Sequence, residues 1–327
     1  MKKWFFLCLF VSASVSPIAH AQTASLNSSA QAEALFQRGV TLYKEATTRE
    51  EALNLWQDAL TKGSGAAGFM LGQVYENRAI NQPQQADSWY QKAIAAYEGA
   101  GQLNHAGALN NLGALYFENN GTTLTPEAAR NKAADYYRRA AKLGNSEAQY
   151  NLALVLARQQ ATAETPDEWQ MWFERAANNG LVRAQAQLGQ LQQALAESPN
   201  SSLEARRSLR ETSANWLRKA AEAGDANGQF YYGVALQKAW GVPRDLEAAV
   251  QWFERASAQN YAAAQLELGR CYAWGLGVTS SNEKAREYYI LAKANGAKEA
   301  ITLLNELKAS LPASSTSKSS SKKATQK

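Results

Sequence analysis

Histidine and cysteine are nearly missing from this chain: two of each occur in 327 residues. His20 and Cys8 fall among the first 21 residues, which leaves His105 and Cys271 for the rest. A single histidine excludes a His-rich metal site and counts against a His-dependent catalytic triad. A single cysteine closes no internal disulfide, so the fold must be held by its core. Cys271 sits between Arg270 and Tyr272 in an apolar helical pattern and reads as a small core residue. His105, in the stretch GQLNHAGA, reads as a solvated surface residue. H-E-x-x-H, C-x-x-C, G-x-S-x-G and a phosphate-binding glycine loop followed by Lys-Ser/Thr are all absent. No catalytic residue, metal site or cofactor is expected.

Long hydrophobic runs are scarce too. The one run, from Trp4 to about Val15, follows Lys2 and Lys3 and precedes Ala19-His20-Ala21, an A-x-A cleavage pattern. Residues 1–21 are expected to be a signal peptide cut after Ala21, and no other stretch is long enough to span a bilayer. Cys8 lies inside the apolar run rather than just after it, which argues against a lipid anchor. The expected location is therefore the periplasm or the exterior. Of the formal net charge of +5, the leader's two lysines carry two and Lys318, Lys322, Lys323 and Lys327 carry four. Residues 22–309 come to −1, and no field for nucleic acid is left.

What the chain does have is repetition. WFERA occurs at 172–176 and again at 252–256. With the second residue of each aromatic pair as position zero, the motif falls at Trp56, Tyr90, Tyr137, Phe173, Leu217, Phe253 and Tyr289. The spacings are 34, 47, 36, 44, 36 and 36. Alanine stands three residues later each time: Ala59, Ala93, Ala140, Ala176, Ala220, Ala256 and Ala292. Seven residues after zero comes Gly63, Gly144, Gly180, Gly224 or Gly296, with Asn260 in one unit and the second unit displaced to Gly101. Gly or Asn there reads as a left-handed helix terminator. A Leu-Gly pair or a relative follows, as at Leu71-Gly72, Leu112-Gly113 and Leu268-Gly269. Each unit is thus two helices, the first with one broad apolar face and the second with small residues for close packing. Trp172, Phe173, Trp252 and Phe253 are expected in the core. The division is a flexible segment over 22–31, a repeat array over 32–309 beginning with a lone second helix, and a disordered Ser/Lys-rich tail over 310–327.

The frame A-x-x-W-Y/F-x-x-A-x-x-x-G-x-x-x-A-x-x-x-L-G-x-x-Y resembles the Sel1-like repeat, a relative of the tetratricopeptide repeat. The loop Gly275-Leu276-Gly277-Val278, with a shortened form at Trp240–Asp245, is similar to that family's G-x-G-V signature. The resemblance implies an all-α fold of about seven units. Its architecture is a right-handed superhelical solenoid of antiparallel helix pairs, whose first helices line a concave groove that binds proteins.

Two positions after zero stand Asp58, Lys92, Arg139, Arg175, Lys219, Arg255 and Leu291. The five consecutive cations, Lys92, Arg139, Arg175, Lys219 and Arg255, form a candidate ladder for an acidic or carboxylate-bearing segment of a partner protein. The plainer reading makes them a solvated basic face, or stems laid over neighbouring aromatics. The main expectation is an exported, non-catalytic, protein-binding scaffold. One alternative is an envelope-assembly or wall-associated tether whose basic tail touches anionic polymer. Another is a cell-wall or β-lactam-hydrolysing enzyme, since Ser315-x-x-Lys318 and Ser319-x-x-Lys322 match S-x-x-K by letter. Both copies lie in the tail without the packed elements that such chemistry needs.

Overall fold

The computed structural model describes the backbone of residues 17–159 and 168–310. Most of the expected leader and residues 311–327 of the tail lie outside the described residues, S-x-x-K matches included. The described residues form 15 α-helices and no strand, in two compact units, Met1–Trp172 and Phe173–Lys327.

The first unit holds α1 (Pro17–Leu42), α2 (Arg49–Thr61), α3 (Gly65–Asn81), α4 (Ala86–Gln102), α5 (Ala106–Phe117), α6 (Pro126–Lys142) and α7 (Ser146–Gln159). α8 (Glu168–Asn178) carries the chain into the second unit. There follow α9 (Val182–Ala196), α10 (Leu203–Glu222), α11 (Ala226–Lys238), α12 (Leu246–Ala258), α13 (Ala262–Trp274), α14 (Asn282–Ala294) and α15 (Glu299–Ser310). Even-numbered helices are the first of each repeat and odd-numbered ones the second. α1 is the lone second helix expected before the array. It also covers residues 22–31, which were expected to be flexible. Neither Gly nor Pro interrupts the chain between Pro17 and Gly39, and the Ser28 hydroxyl donates to the Lys62 carbonyl at 3.2 Å.

The second helices α3 and α5 in the first unit and α11 and α13 in the second each pack more extensively on the first helix of the following repeat than on their own partner. The glycine of the Leu-Gly pair explains this. A Cβ on Gly113 would lie 2.7 Å from the ring of Tyr137, one on Gly189 would lie 2.6 Å from Leu217, and one on Gly233 would lie 2.6 Å from the ring of Phe253. Each glycine is a notch that seats the position-zero side chain of the next repeat. Gly39 seats Trp56 and Gly269 seats Tyr289 in the same way.

This pairing corrects the frame in one repeat. Gly72 seats Tyr97, not Tyr90. Tyr97 is fully buried and Tyr90 only half-buried. With zero at Tyr97, Ala100 stands at +3 and Asn104 at +7. Asn104 has φ 58°, so asparagine ends this helix as Asn260 (φ 62°) ends α12. Gly101, expected to be the displaced terminator, is instead a buried residue of α4 pressed on Leu109. All seven terminators, from Gly63 to Gly296, then have φ between 58° and 102°. The +3 alanines and the small residues at +11, such as Ala67, Ala108, Ala148 and Ala264, are buried to 0% exposure, so no larger side chain fits between the helices.

Of the residues of the WFERA doublet expected in the core, Trp172, Phe173 and Phe253 are buried. Trp252 is only half-buried: it packs at the margin of the core, Tyr232 meets it edge-on, and the Arg255 guanidinium lies over its ring.

Exchanging Gly113 for alanine is expected to cost ~1–3 kcal/mol, since the ring of Tyr137 must move from a packed seat. Urea unfolding measures this, and an unchanged midpoint would show that the ring does not need the notch.

Candidate protein-contact surface

In the first unit Arg139 stands two residues after Tyr137, exposed on α6. Its guanidinium lies 5.9 Å from the Tyr136 ring centre and donates to the Gly101 carbonyl at 2.9 Å. Lys92 does not share this position. In the corrected frame it stands five residues before Tyr97, where Lys132 and Lys284 stand in their repeats, and Gly99 occupies the +2 place. The frame error was seven residues, two helical turns, so Lys92 stays on the same side of its helix. Its Nζ sits 4.3 Å above the Trp89 ring. Lys132 similarly covers Tyr116, which stacks on Tyr136 at 5.4 Å.

In the second unit Arg175, Lys219 and Arg255 all hold the +2 position and all are exposed. Lys219 Nζ lies 4.4 Å above Trp216, and the Arg255 guanidinium 4.3 Å above Trp252. Positions −1 and +2 are an i, i+3 pair on one helical face, so the cation folds back over its own aromatic. Four of the five predicted residues therefore place their charged head within 6 Å of an aromatic ring centre. Among the described residues no carboxylate pairs with Lys92, Lys219 or Arg255. The last repeat breaks the series with Ile290 and Leu291, both exposed.

The other candidates resolve as structural residues. Cys271 is buried, and burial pushes its thiol up to about 12, far from a reactive thiolate. His105 is half-buried rather than solvated. It is the N-cap of α5, its Nδ1 accepts from the Ala108 amide at 3.1 Å, and its ring stacks on Phe69 at 4.8 Å. It stands eight residues after Tyr97, where Ser64 and Asp225 cap α3 and α11. Burial holds its pKa below the usual value of 6.5. Among the described residues no group of His, Cys, Asp and Glu gathers as a metal site, and no helix is long and apolar enough to cross a membrane.

Two features escaped the sequence reading. The first is a row of buried glutamines at +12. Gln149, Gln185, Gln229 and Gln265 each donate from Nε2 to a main-chain carbonyl eight residues earlier, at 3.0 to 3.4 Å. The repeated Ala-Gln or Gly-Gln pairs were the visible signal. The second is a cluster of Arg206, Arg207 and Arg210 in the first turns of α10, written as ARRSLR and outside the repeat frame.

The profile of one family, described as the Sel1 repeat, matches residues 66–97, 106–145, 146–162, 170–181, 206–225, 226–261 and 262–296, more than half of the chain. The matches beginning at 106, 146, 226 and 262 each start nine residues after a position zero, Tyr97 among them. The crystal structure of c5321, a protective antigen of uropathogenic Escherichia coli strains displaying an SLR fold, is similar with a TM-score of 0.70 and 24% identity. That match covers 90% of this chain and 61% of the other. A Sel1 repeat protein from Oxalobacter formigenes aligns with a TM-score of 0.57 at 24% identity, over 70% of this chain and 87% of that one. Protein NMB1327 of Neisseria meningitidis serogroup B is 28% identical over 183 residues, 56% of this chain and 36% of the relative. The chain thus spans well under two thirds of that relative's length and just under two thirds of the Escherichia coli protein's.

Because the folded His105 binds its proton at lower pH than the unfolded one, stability falls as pH drops from 6.5 through that lowered value. His105→Asn keeps a side-chain acceptor at the cap and does not titrate. Between about pH 7 and pH 5 the wild type is expected to lose more melting temperature than this variant. Equal losses would remove His105 as the cause.

Proposed function

The chain belongs to the Sel1-repeat family, and on that premise we propose that it is an exported, non-catalytic scaffold that binds another protein. Export rests on the charged start, the apolar run and the A-x-A site of residues 1–21. The observation that carries the binding reading is the set of exposed cations laid over half-buried aromatic rings on the first helices. Trp216 with Lys219 and Trp252 with Arg255 each join a half-buried ring to a cation that has no carboxylate partner among the described residues. Such surfaces suit protein recognition, where aromatics and arginine carry most of the binding energy. The unpaired charges favour a partner with acidic side chains. Arg139, Arg175, Lys219 and Arg255 are the repeat-phased contacts. Lys92 contributes from its own place over Trp89.

A photo-crosslinking residue placed beside these cations, at Glu174 or Glu254, is expected to trap a discrete partner in the native compartment. Reversing Arg175, Lys219 and Arg255, all in the second unit, together to Glu should lower the crosslinked yield by about tenfold or more, as loss of several charge-assisted contacts would. Unchanged yield from a folded triple variant contradicts this surface. Turnover of a chromogenic β-lactam by the purified protein would contradict the non-catalytic reading.

A further inference from the structure

α10 is longer than the first helices of the next two repeats, with 20 residues against 13 in α12 and α14. Its extra turns build a groove of about 410 Å³, wholly within the second unit. Leu203, Arg206, Arg207 and Arg210 form one wall together with Glu211, so three cations face one carboxylate there, and the loop after α11, with Val242 and Pro243, forms the other. Gly241 sets the width. Its φ of 72° and its contact with the Arg210 carbonyl leave no room for a Cβ, so the loop is held against α10.

The arginines are not equivalent. Arg206 is pinned by neutral acceptors: its Nε donates to the Ser201 carbonyl at 3.0 Å and its Nη2 to the Ser198 carbonyl at 3.2 Å. Among the described residues no carboxylate pairs with it, so its charge is fixed in place and uncompensated. Arg210 donates from Nη2 to Glu197 at 2.7 Å and lies 5.5 Å from the Trp240 ring centre. Its Nε is buried with no acceptor. That donor is covered and out of reach of a partner, so what Arg210 offers the groove is the one third of its side chain that stays exposed. Among the described residues Arg207, its side chain 84% exposed, pairs with Glu211 on its own helix alone, an interaction weak enough to be exchanged. Lys238, 4.4 Å from the Trp240 ring centre, adds positive charge nearby. Beside these cations Leu203 is 86% exposed at the first position of α10.

We propose that this groove anchors a carboxylate side chain of the partner protein, with an apolar residue next to it in the partner's sequence. The assignment rests on the protein-binding reading above and gives it a specificity site. Arg206 and Arg210 receive the carboxylate, and Leu203, Val242 and Pro243 receive the apolar neighbour. A phosphate would satisfy the arginines but leave the apolar wall wet, so the mixed lining selects an acidic peptide.

The test uses the protein with ¹⁵N-labelled arginine and two probes, acetyl-Ala-Leu-Glu-Leu-Ala-amide and the same peptide with Gln for Glu. The Nε–H signals of Arg206 and Arg210 are expected to shift saturably with the Glu probe, and the Gln probe to bind on the order of tenfold more weakly. Arg206→Ala with Arg210→Ala should abolish the difference between the probes. Leu203→Ser, at an exposed site that does not threaten folding, should weaken the Glu probe while leaving a probe with Ala for both Leu residues unaffected. Equal binding of the Glu and Gln probes, or undiminished binding by a folded double variant, overturns the groove. Loss of the Glu probe in Arg139→Ala, Lys219→Ala, Arg255→Ala alone, with the groove variants binding normally, also overturns it but leaves the scaffold reading standing. The crosslinking yield decides that reading separately.

Discussion

The seat of a large side chain on a glycine is the contact on which the rest of this structure depends. Gly39, Gly72, Gly113, Gly189, Gly233 and Gly269 each lie under the position-zero residue of a following first helix. A ring brought that close draws the two helix backbones together, and everything between them must be small. That is why the residues at +3 and +11 are alanine or glycine almost throughout. It also explains why second helices pack harder on the next repeat than on their own partner. The repeat as written in the sequence pairs a first helix with the second helix after it. The repeat as packed pairs a second helix with the first helix after it. Such coupling between neighbours makes stability a sum over interfaces rather than over units. In α15 the notch place holds Asn305, which offers no seat for a ring.

Close packing alone leaves helices free to slide along one another, and a second set of contacts removes that freedom. The +12 glutamines are buried, and each ties its second helix to the carbonyl end of its own first helix. In the second unit the same side chains also accept from the following repeat: Gln229 from Gln259 at 2.9 Å and Gln265 from Asn295 at 2.9 Å. One amide therefore holds two interfaces, with donor and acceptor both used, as a buried polar group requires. In the first unit the +12 place holds Gly68 and Leu109 in the first two repeats, and apolar contact replaces the amide clamp.

Much of this was legible. The helix pairs, the terminators and the small-residue faces follow from spacing, because each has a steric cause that only a few residue types satisfy. The second repeat was misread for an equally physical reason. Trp89-Tyr90 imitates the aromatic pair, Ala93 fits both frames, and a shift of seven residues keeps every side chain on the same helical face. Periodicity could not separate the two frames. The separating signal was Leu112-Gly113, which stands 15 and 16 residues after Tyr97, as Leu71-Gly72 does after Trp56. The ladder's chemistry was less legible. Sequence spacing placed Lys219 and Arg255 on one face, but whether a cation reaches outward or lies on its own ring depends on side-chain rotamers and on the free face of Trp216 or Trp252. The groove on α10 was the least legible, because it joins residues more than 30 apart through a loop whose path is set by the left-handed backbone of Gly241.

These constraints divide the labour along the chain. Positions −4, 0, +3, +7, +11, +12, +15 and +16 are claimed by packing, capping and the clamp, and a substitution there changes stability before it changes recognition. The +2 cations escape the core but remain in phase with the repeat, so they give every unit a similar surface and little to tell one partner from another. Discrimination has to come from departures from the frame. The largest departure described in the second unit is the extension of α10. Its three arginines stand outside the repeat frame, and two of them tie the extension to its neighbours: Arg206 to the loop before α10, and Arg210 to Glu197 and Trp240. A repeat array tolerates such an extension because each interface involves only neighbouring helices. An insertion at one end of a helix therefore leaves the notches on either side intact, and it is there that an array built from one brick can acquire a binding preference of its own.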